Sequence, residues 1–380
     1  MENKIYDIAV LGAGCASFQL LYQMSLQAGW HTKQIALLSD FVPQQRSWCF
    51  WSKEAQPLQH LVRKSWQKMT FIGNKFSKTE NILPYQYHYI PGEIFFDYFQ
   101  EIFLPQNKNI THFSSKIEGI KKIGKTFSVT DAEKSYQAQT VFSSLPTMHT
   151  SIPAKIKLKQ HFLGWFIKTE KSVFDETTVT IMDFSISQCN DTRFVYILPF
   201  TGREALIEMT VFSPDLYDNT VYENVLINYM KTHFLNIQFT TERTEKGAIP
   251  MTDTLHSRVG TNEEILIGTS AGAVKASTGY AFVRIGQDGE QLAEDFFHKK
   301  KLRSIATKGR FRFYERLLLG IINDEPLKGS LIFEKLFKKT PMIKIFKFLD
   351  EDTDLREEMV IFSKLPFKPF LKQIYKQWLR

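Results

Sequence analysis

One carboxylate stands in an otherwise uncharged run, "ALIEMTVF", residues 205–212. Strand side chains alternate, so Ala205, Ile207, Met209 and Val211 share one face and Leu206, Glu208, Thr210 and Phe212 the other. Both faces are largely apolar, as in a strand covered on both sides. A carboxylate buried there is costly unless it is paired or protonated. A protonated one is a general acid that survives near neutral pH, because an apolar site disfavours its charged form. An ion pair with an arginine such as Arg193 or Arg203 would instead make Glu208 structural.

A second chemistry-bearing stretch is Gly12-Ala13-Gly14-Cys15-Ala16-Ser17. Gly12 permits a tight turn, and Gly14 lets backbone N–H groups approach a pyrophosphate at a helix N-terminus. Ser17 departs from the glycine or alanine usual at the third position. The ribose partner ends the second strand, where Ser39 and Asp40 both stand and Asp40 is the acidic one. Placement at the extreme N-terminus fits FAD as much as NAD. Cys15 reads as a small packing residue, although a thiol at a helix N-terminus can be reactive. A third stretch, "GTSAGAVKASTGYAFVRIG" (268–286), follows a strand with small residues. Gly268, Gly272 and Ala273 would let a bulky ligand lie against backbone; Lys275 either neutralises a phosphate or is exposed. Arg46 precedes "SWCFW", whose Trp48 and Trp51 suit one wall of a flat-ring or polyene site, or the core. His88 reads as a hydrogen-bonded structural histidine. The nine histidines show no metal-ligand spacing, so no metal site is expected.

These residues need a scaffold. "YDIAVLGAG", "ASFQLLYQMSLQ" and "QIALLSD" read as strand, helix and strand within ~35 residues, the size of a β-α-β unit. Short strands follow over about 111–144. Three more cover about 178–212, the last two joined as a hairpin by a turn at Gly202. "EEILIGTSAG" is a strand entering small residues, and "GQDGEQLAEDFF" starts a helix. Beyond Lys299 the chain reads as helices broken at Pro326, Pro341 and Pro366. The fold expected is α/β. A Rossmann-like dinucleotide domain takes 1–80, 105–150 and 258–298. An inserted antiparallel-sheet substrate domain takes 81–104 and 151–257, and a helical, basic C-terminal region takes 299–380.

Composition bounds the function. The 380 residues include 33 phenylalanines, enough to line a long apolar cavity or fill an aromatic core. Net charge is +8, yet residues 296–347 alone hold 14 Lys/Arg against 4 Asp/Glu. Basic residues interleaved with phenylalanine suit an anionic membrane surface, against the plainer reading of solvated basic helices. No nucleic-acid motif accompanies them. Three cysteines without CxxC give no disulfide framework and fit a reducing compartment. The apolar runs fall short of the ~18 residues of a spanning helix, and the N-terminus, with Asp7 in its run, is a poor signal peptide. A soluble or peripheral protein is expected.

The fingerprint, "RSWCFW", "YIPGEIFFDYF", "TIMDFSI", "RFVYILPF", "ALIEMTVF", "KGAIPM" and "GTSAGAVKASTGYAF", in this order along nearly the whole chain, resemble the bacterial-type lycopene β-cyclases. The resemblance implies the fold of the FAD-dependent hydroxylase and reductase superfamily. It implies closure of lycopene's ψ ends to β-ionone rings, by way of γ-carotene to β-carotene, with no net redox change. It implies reduced FAD as cofactor and NADPH as indirect electron source; the cysteine usage and the basic, phenylalanine-rich C-terminal region add the expectation of a cytoplasmic protein peripheral to an anionic membrane. The family's catalytic glutamate falls in a Leu-Ile-Glu segment, here Leu206-Ile207-Glu208. Asp183 of "TIMDF" matches the family too, in what reads as the adjacent strand. It would orient Glu208 or shuttle protons, or else be a solvated sheet-edge acid. Two departures stand out: Met209 where many relatives have a second acid, and "TVFSSLP" where many have an aspartate. A flavin hydroxylase or prenyl reductase is the rival enzyme, though Gly268-Thr269-Ser270 lacks the Gly-Asp common in hydroxylases. A non-enzymatic prenyl-lipid carrier is the other rival, and it gives no reason for Glu208.

Overall fold

The computed structural model describes residues 4–40, 46–146, 154–305 and 308–378. The chain begins with β1 (Ile5–Leu11), α1 (Cys15–Ser25) and β2 (Ile35–Ser39). Next come β3 (Trp48–Ser52), β4 (Lys64–Trp66), β5 (Lys68–Gly73), β6 (Phe76–Asn81) and β7 (Gln86–Ile90). Helix α2 (Gly92–Asp97) runs through a π-helical stretch, Tyr98–Phe103, into α3 (Leu104–Gln106). β8 (Ile110–Ser114), β9 (Gly119–Ile123), β10 (Thr126–Thr130) and β11 (Ser135–Ser143) follow. The middle of the chain forms β12 (Lys157–Thr169), β13 (Thr178–Asp183), β14 (Thr192–Pro199), β15 (Glu204–Ser213), α4 (Asn219–His233) and β16 (Phe239–Thr252). β17 (Ile265–Leu266) and α5 (Phe282–Phe297) precede five helices: α6 (Gly309–Asp324), α7 (Leu327–Lys339), α8 (Met342–Leu349), α9 (Leu355–Phe362) and α10 (Phe367–Trp378).

Among the described residues the strands form three sheets. The first runs β8-β2-β1-β11-β10-β9, with β17 added parallel to β11. Its parallel core is covered on both faces, so β1 and β2 read as continuous apolar runs. Ile8 and Val10 face the core shared with Phe18 and Leu21 of α1 and Leu292 of α5. Ala9 and Leu11 pack on the other face with Phe127 and Val129. This is the Rossmann-like layer expected from the sequence.

The second sheet runs β16-β12-β15-β14-β13-β5-β6. The β14–β15 hairpin lies at its centre, with Tyr196 opposite Glu208. Alternation along β15 sends Ile207, Met209 and Val211 into a core with Tyr222, Leu226 and Tyr229 of α4. Leu206 and Phe212 face the opposite side, where Phe333 of α7 and Phe346 of α8 join the same core. The third sheet, β3-β7-β4, sends Phe50 and Ile90 into the first core and Trp51, Trp66 and Tyr87 into the second.

Three domain boundaries need correction. β5 and β6 lie within 1–80, apart from Asn81, yet they close the second sheet, because β5 pairs parallel with β13. Residues 92–104, expected in the substrate domain, form one helical stretch with 105–106. Its Phe95, Phe99 and Phe103 pack instead on the α1 side of the first core, Phe18 stacking on Phe99 at 4.6 Å. Helices α6, α7 and α8 share the core of the second sheet, so the C-terminal region is not set apart from it. The helix breaks at Pro326, Pro341 and Pro366 are present, but another falls between α8 and α9 with no proline. There Asp354 and Glu357 form a reciprocal capping box that starts α9, an interaction of about 1 kcal/mol.

Candidate functional site

A cavity of about 850 Å³ runs between the two sheets. One end is lined by Gly14, Cys15, Ala16, Ser39, Asp40 and Arg46. Gly12 has φ +85°, which favours glycine, and a Cβ there would meet Ser144 Oγ at 2.5 Å. A Cβ on Gly14 would meet nothing within 4 Å, so the start of α1 is open toward the cavity. That opening presents free N–H groups and the positive end of a helix dipole, a setting for a pyrophosphate. Ser39 and Asp40, both expected as ribose partners, sit in different surroundings. Ser39 Oγ accepts from Ala13 N at 3.1 Å and fastens the glycine turn. Asp40 is exposed, lines the cavity and makes no hydrogen bond among the described residues. These residues fit a dinucleotide.

Other expected contact residues are set back. Ser17 is fully buried and donates to Ser144 Oγ at 3.3 Å. Gly268 lies under α1, where a Cβ would sit 2.6 Å from Ala16 Cβ, and Gly272 lies against the His256 ring. Ala273 is fully buried. These positions shape the backbone, while Thr269 and Val274 between them line the cavity. Lys275 is neither a free phosphate partner nor exposed: it is buried and ion-paired to Glu351 at 3.0 Å and Glu315 at 3.5 Å. Burial pushes the Cys15 thiol up to about 12, which disfavours the reactive thiolate.

Glu208 projects into the middle of the cavity from β15. It is 8 % exposed, and Thr210 Oγ1 donates to its Oε1 at 2.9 Å. No Lys or Arg pairs with it among the described residues. Arg193 Nε donates to Ser187 O at 2.6 Å instead. Burial first, then the neighbouring Glu245 carboxylate, hold Glu208 well above the usual carboxyl range, against a smaller pull from Thr210. Trp48 and Trp51 line the same cavity, and Trp51 Nε1 donates to Asp350 Oδ1 at 2.7 Å.

Glu245 is the residue that sequence reasoning missed. It is also 8 % exposed and lines the cavity from β16. Ser47 Oγ donates to its Oε2 at 2.8 Å. Burial raises its pKa, while Ser47 and Arg243 pull it back. A signal was present. Glu245, Gly247, Ile249 and Met251 recur every second residue, the period of one strand face, and the last two are apolar. Beside Glu208, Tyr196 bonds Tyr87, whose hydroxyl also bonds Tyr280 Oη at 2.8 Å. Burial raises all three phenols, which keeps them neutral.

Asp183 is not in this group. β14 lies between its strand and that of Glu208. Its side chain points to the α4 face, fully buried, where Tyr229 Oη donates to Oδ2 at 2.5 Å and Ser185 N to Oδ1 at 2.8 Å. A register shift between Thr180 and Asp183 accompanies this placement and puts Ile181 and Met182 on the cavity wall. Asp183 is therefore neither an adjacent-strand partner of Glu208 nor a solvated edge acid. His88 is structural as expected, held between Ser52 and Ser65 with burial lowering its pKa to about 4. The described residues contain no cluster suited to a metal.

The family model for lycopene cyclase proteins matches residues 7–374. The chain belongs to the lycopene cyclase family. No curated protein matches the sequence. Solved structures resemble it at the level of fold. A flavoprotein/dehydrogenase from Cytophaga hutchinsonii has a TM-score of 0.61 at 13 % identity, over 90 % of this chain and 92 % of that one. A geranylgeranyl bacteriochlorophyll reductase-like protein from Thermoplasma acidophilum has a TM-score of 0.54 at 12 % identity, over 98 % and 96 %. The flavin-dependent monooxygenase PieE, solved with FAD and substrate, has a TM-score of 0.60 at 10 % identity, over 96 % and 72 %.

Proposed function

We propose that this member of the lycopene cyclase family closes the ψ ends of lycopene to β-ionone rings, giving γ-carotene and then β-carotene with no net redox change. The observation that carries this reading is Glu208, a buried carboxyl without a cationic partner among the described residues, in an apolar cavity continuous with the dinucleotide turn. Glu208 in its protonated form donates to the terminal alkene, leaving a tertiary cation. The nearby internal double bond attacks that cation and forms the six-membered ring. A proton then leaves the carbon beside the new cation, and the carboxylates of Glu208 and Glu245 are the bases within the cavity. One proton enters and one leaves, so the product is an isomer.

Chain residues also shape the cation's surroundings. Trp48, Trp51 and the three tyrosines offer aromatic faces to positive charge. The Gly12–Gly14 turn, the start of α1, Asp40 and Arg46 would hold FAD. Reduced FAD, when bound, supplies an electron-rich face beside the cation, with NADPH as the indirect electron source.

Expression in a bacterial host that accumulates lycopene, followed by pigment separation, tests the reading. A yellow bicyclic product of unchanged mass is expected. Glu208→Gln should fold, retain FAD and lose at least about 10²-fold in turnover, the usual range for an acid catalyst. Unchanged lycopene beside soluble, FAD-loaded protein would overturn the proposal. Stoichiometric NADPH consumption would move it to a prenyl reductase.

A further inference from the structure

Helix α10 is built inside out. Its buried residue is Gln373, whose Nε2 donates to Gly320 O at 2.9 Å and to Asp324 Oδ2 at 2.5 Å. Lys372 pairs with Glu325 at 2.8 Å on the same α6 end, and Arg316 Nε donates to Gln377 Oε1 at 2.9 Å. The helix is thus moored by polar contacts. Its apolar residues Phe367, Leu371, Ile374, Tyr375 and Trp378 recur at intervals of three and four and form one stripe. That stripe faces outward: Phe367 is 71 % and Trp378 88 % exposed. Leu355 and Met359 of α9 are exposed as well.

Three features say what covers this stripe. On a helical wheel Lys368 and Lys372 flank it on one side, and Arg356 of α9, Lys364 of the turn between the helices and Lys368 of α10 form no ion pair among the described residues. That is the pattern of an interfacial helix, with apolar residues at the acyl boundary and basic ones toward anionic headgroups. Tyr375 and Trp378 are residue types that favour such a boundary. On the inner side, Phe362, Leu365 and Phe370 of the same segment line the cavity that holds Glu208. The surface stripe and the apolar cavity wall are therefore two sides of one structure. A protein partner fits less well: a three-turn helix about 18 Å long and 10 Å wide falls short of the roughly 800 Å² per partner of a standard interface.

We propose that α10, with the outer edge of α9, is the surface by which the protein lies on an anionic lipid bilayer, with the cavity wall at Phe362, Leu365 and Phe370 directly behind it. It deepens the cyclase reading by naming where an apolar substrate enters, and it rests on that reading only for the substrate. It adds a second surface to the contact expected in the basic segment 296–347, where Lys300, Arg303, Arg310 and Lys347 are committed to ion pairs with Glu294, Asp295, Glu358 and Glu357.

The full chain is floated with vesicles of phosphatidylcholine containing phosphatidylglycerol and with phosphatidylcholine alone. Binding to the anionic vesicles is expected, and at least about tenfold less in the double variant Leu371→Ser/Ile374→Ser, which removes two surface apolar groups. Brominated lipid should quench tryptophan fluorescence in the parent and much less in Trp378→Phe. Conversion of detergent-dispersed lycopene should be unchanged in these variants. Lycopene left unconverted by every protein would count against the cyclase reading while leaving the vesicle result legible. Undiminished flotation of the double variant would overturn the proposal. So would a parent that never floats but forms a dimer, by light scattering, that the double variant loses.

Discussion

Glu208 and Glu245 flank one residue, Gly164: in the register of β15, β12 and β16, Gly164 is the partner of both. Tyr196 stands opposite Glu208 on the next strand, so Tyr196, Glu208, Gly164 and Glu245 form a row across four strands. The glycine leaves open the space between the two acids. A Cβ there would lie 2.7 Å from Leu206 Cδ1 and 3.4 Å from Glu208 Oε2. Two carboxyls sharing a buried site cannot both ionise readily, and the environment decides which keeps the proton. Ser47 and Arg243 favour charge on Glu245, in keeping with the donor role proposed for Glu208.

This row predicts a pH dependence. A general acid works while protonated, so turnover should fall as pH rises through the raised pKa of Glu208. Glu245→Gln removes a negative charge that raises that pKa. The alkaline limb should move to lower pH, by about one unit, the size expected for one nearby like charge, with maximal turnover kept within roughly tenfold. Stability follows the same sign. An acid whose folded pKa is raised holds its proton more tightly when folded, so its stabilising effect is full below the unfolded value and lost as pH rises through the folded one. The parent should therefore gain thermal stability from pH 8 to pH 5, and Glu208→Gln should gain less. A pH–rate profile unmoved in Glu245→Gln would refute the coupling of the two acids.

Gly14 offers a test at the nucleotide end. The open space around its Cβ position means that the Cβ of Gly14→Val meets no protein atom within 4 Å, and the residue's φ of −92° suits any side chain. The variant should fold with the parent's melting temperature once both are stripped of flavin. Its side chain would occupy the space that a pyrophosphate needs, so FAD affinity should drop at least about tenfold, 1.4 kcal/mol. Flavin absorbance retained through gel filtration is the readout, and full retention would mean that the cofactor does not lie against α1.

The sequence exposes some of this site and hides the rest for physical reasons. The β-α-β unit, the Gly12–Gly14 turn and the carboxylate at Glu208 are legible because they depend on local pattern: a glycine turn between apolar strands, and a charge out of phase with its surroundings. Glu245 is hidden because it lies 37 positions away from Glu208, and only the pairing of both strands with β12 brings the two together. The placement of Asp183 turns on a register shift, and one residue of slip sends a side chain to the opposite face. The swap of β5–β6 and 92–106 between layers is equally invisible. Each has the right local pattern, and only long-range pairing with β13 or packing on Phe18 decides its layer.

The position of Asp183 gives a prediction that separates structure from catalysis. Its carboxylate accepts from Tyr229 Oη and Ser185 N on the α4 side of the sheet, away from the cavity. Asp183→Asn keeps a hydrogen-bond acceptor but cannot relay a proton. Its turnover, measured on folded protein, should remain within about twofold of the parent, since no transition-state interaction is lost. Asp183→Ala leaves the buried Tyr229 hydroxyl without its partner and should cost about 1–3 kcal/mol of stability, read as a shift in the denaturation midpoint, again with little change in turnover per folded molecule. If Asp183→Asn folded normally yet lost turnover as severely as Glu208→Gln, the carboxylate would be acting through the sheet on the acid, and its assignment to the α4 packing face alone would fail.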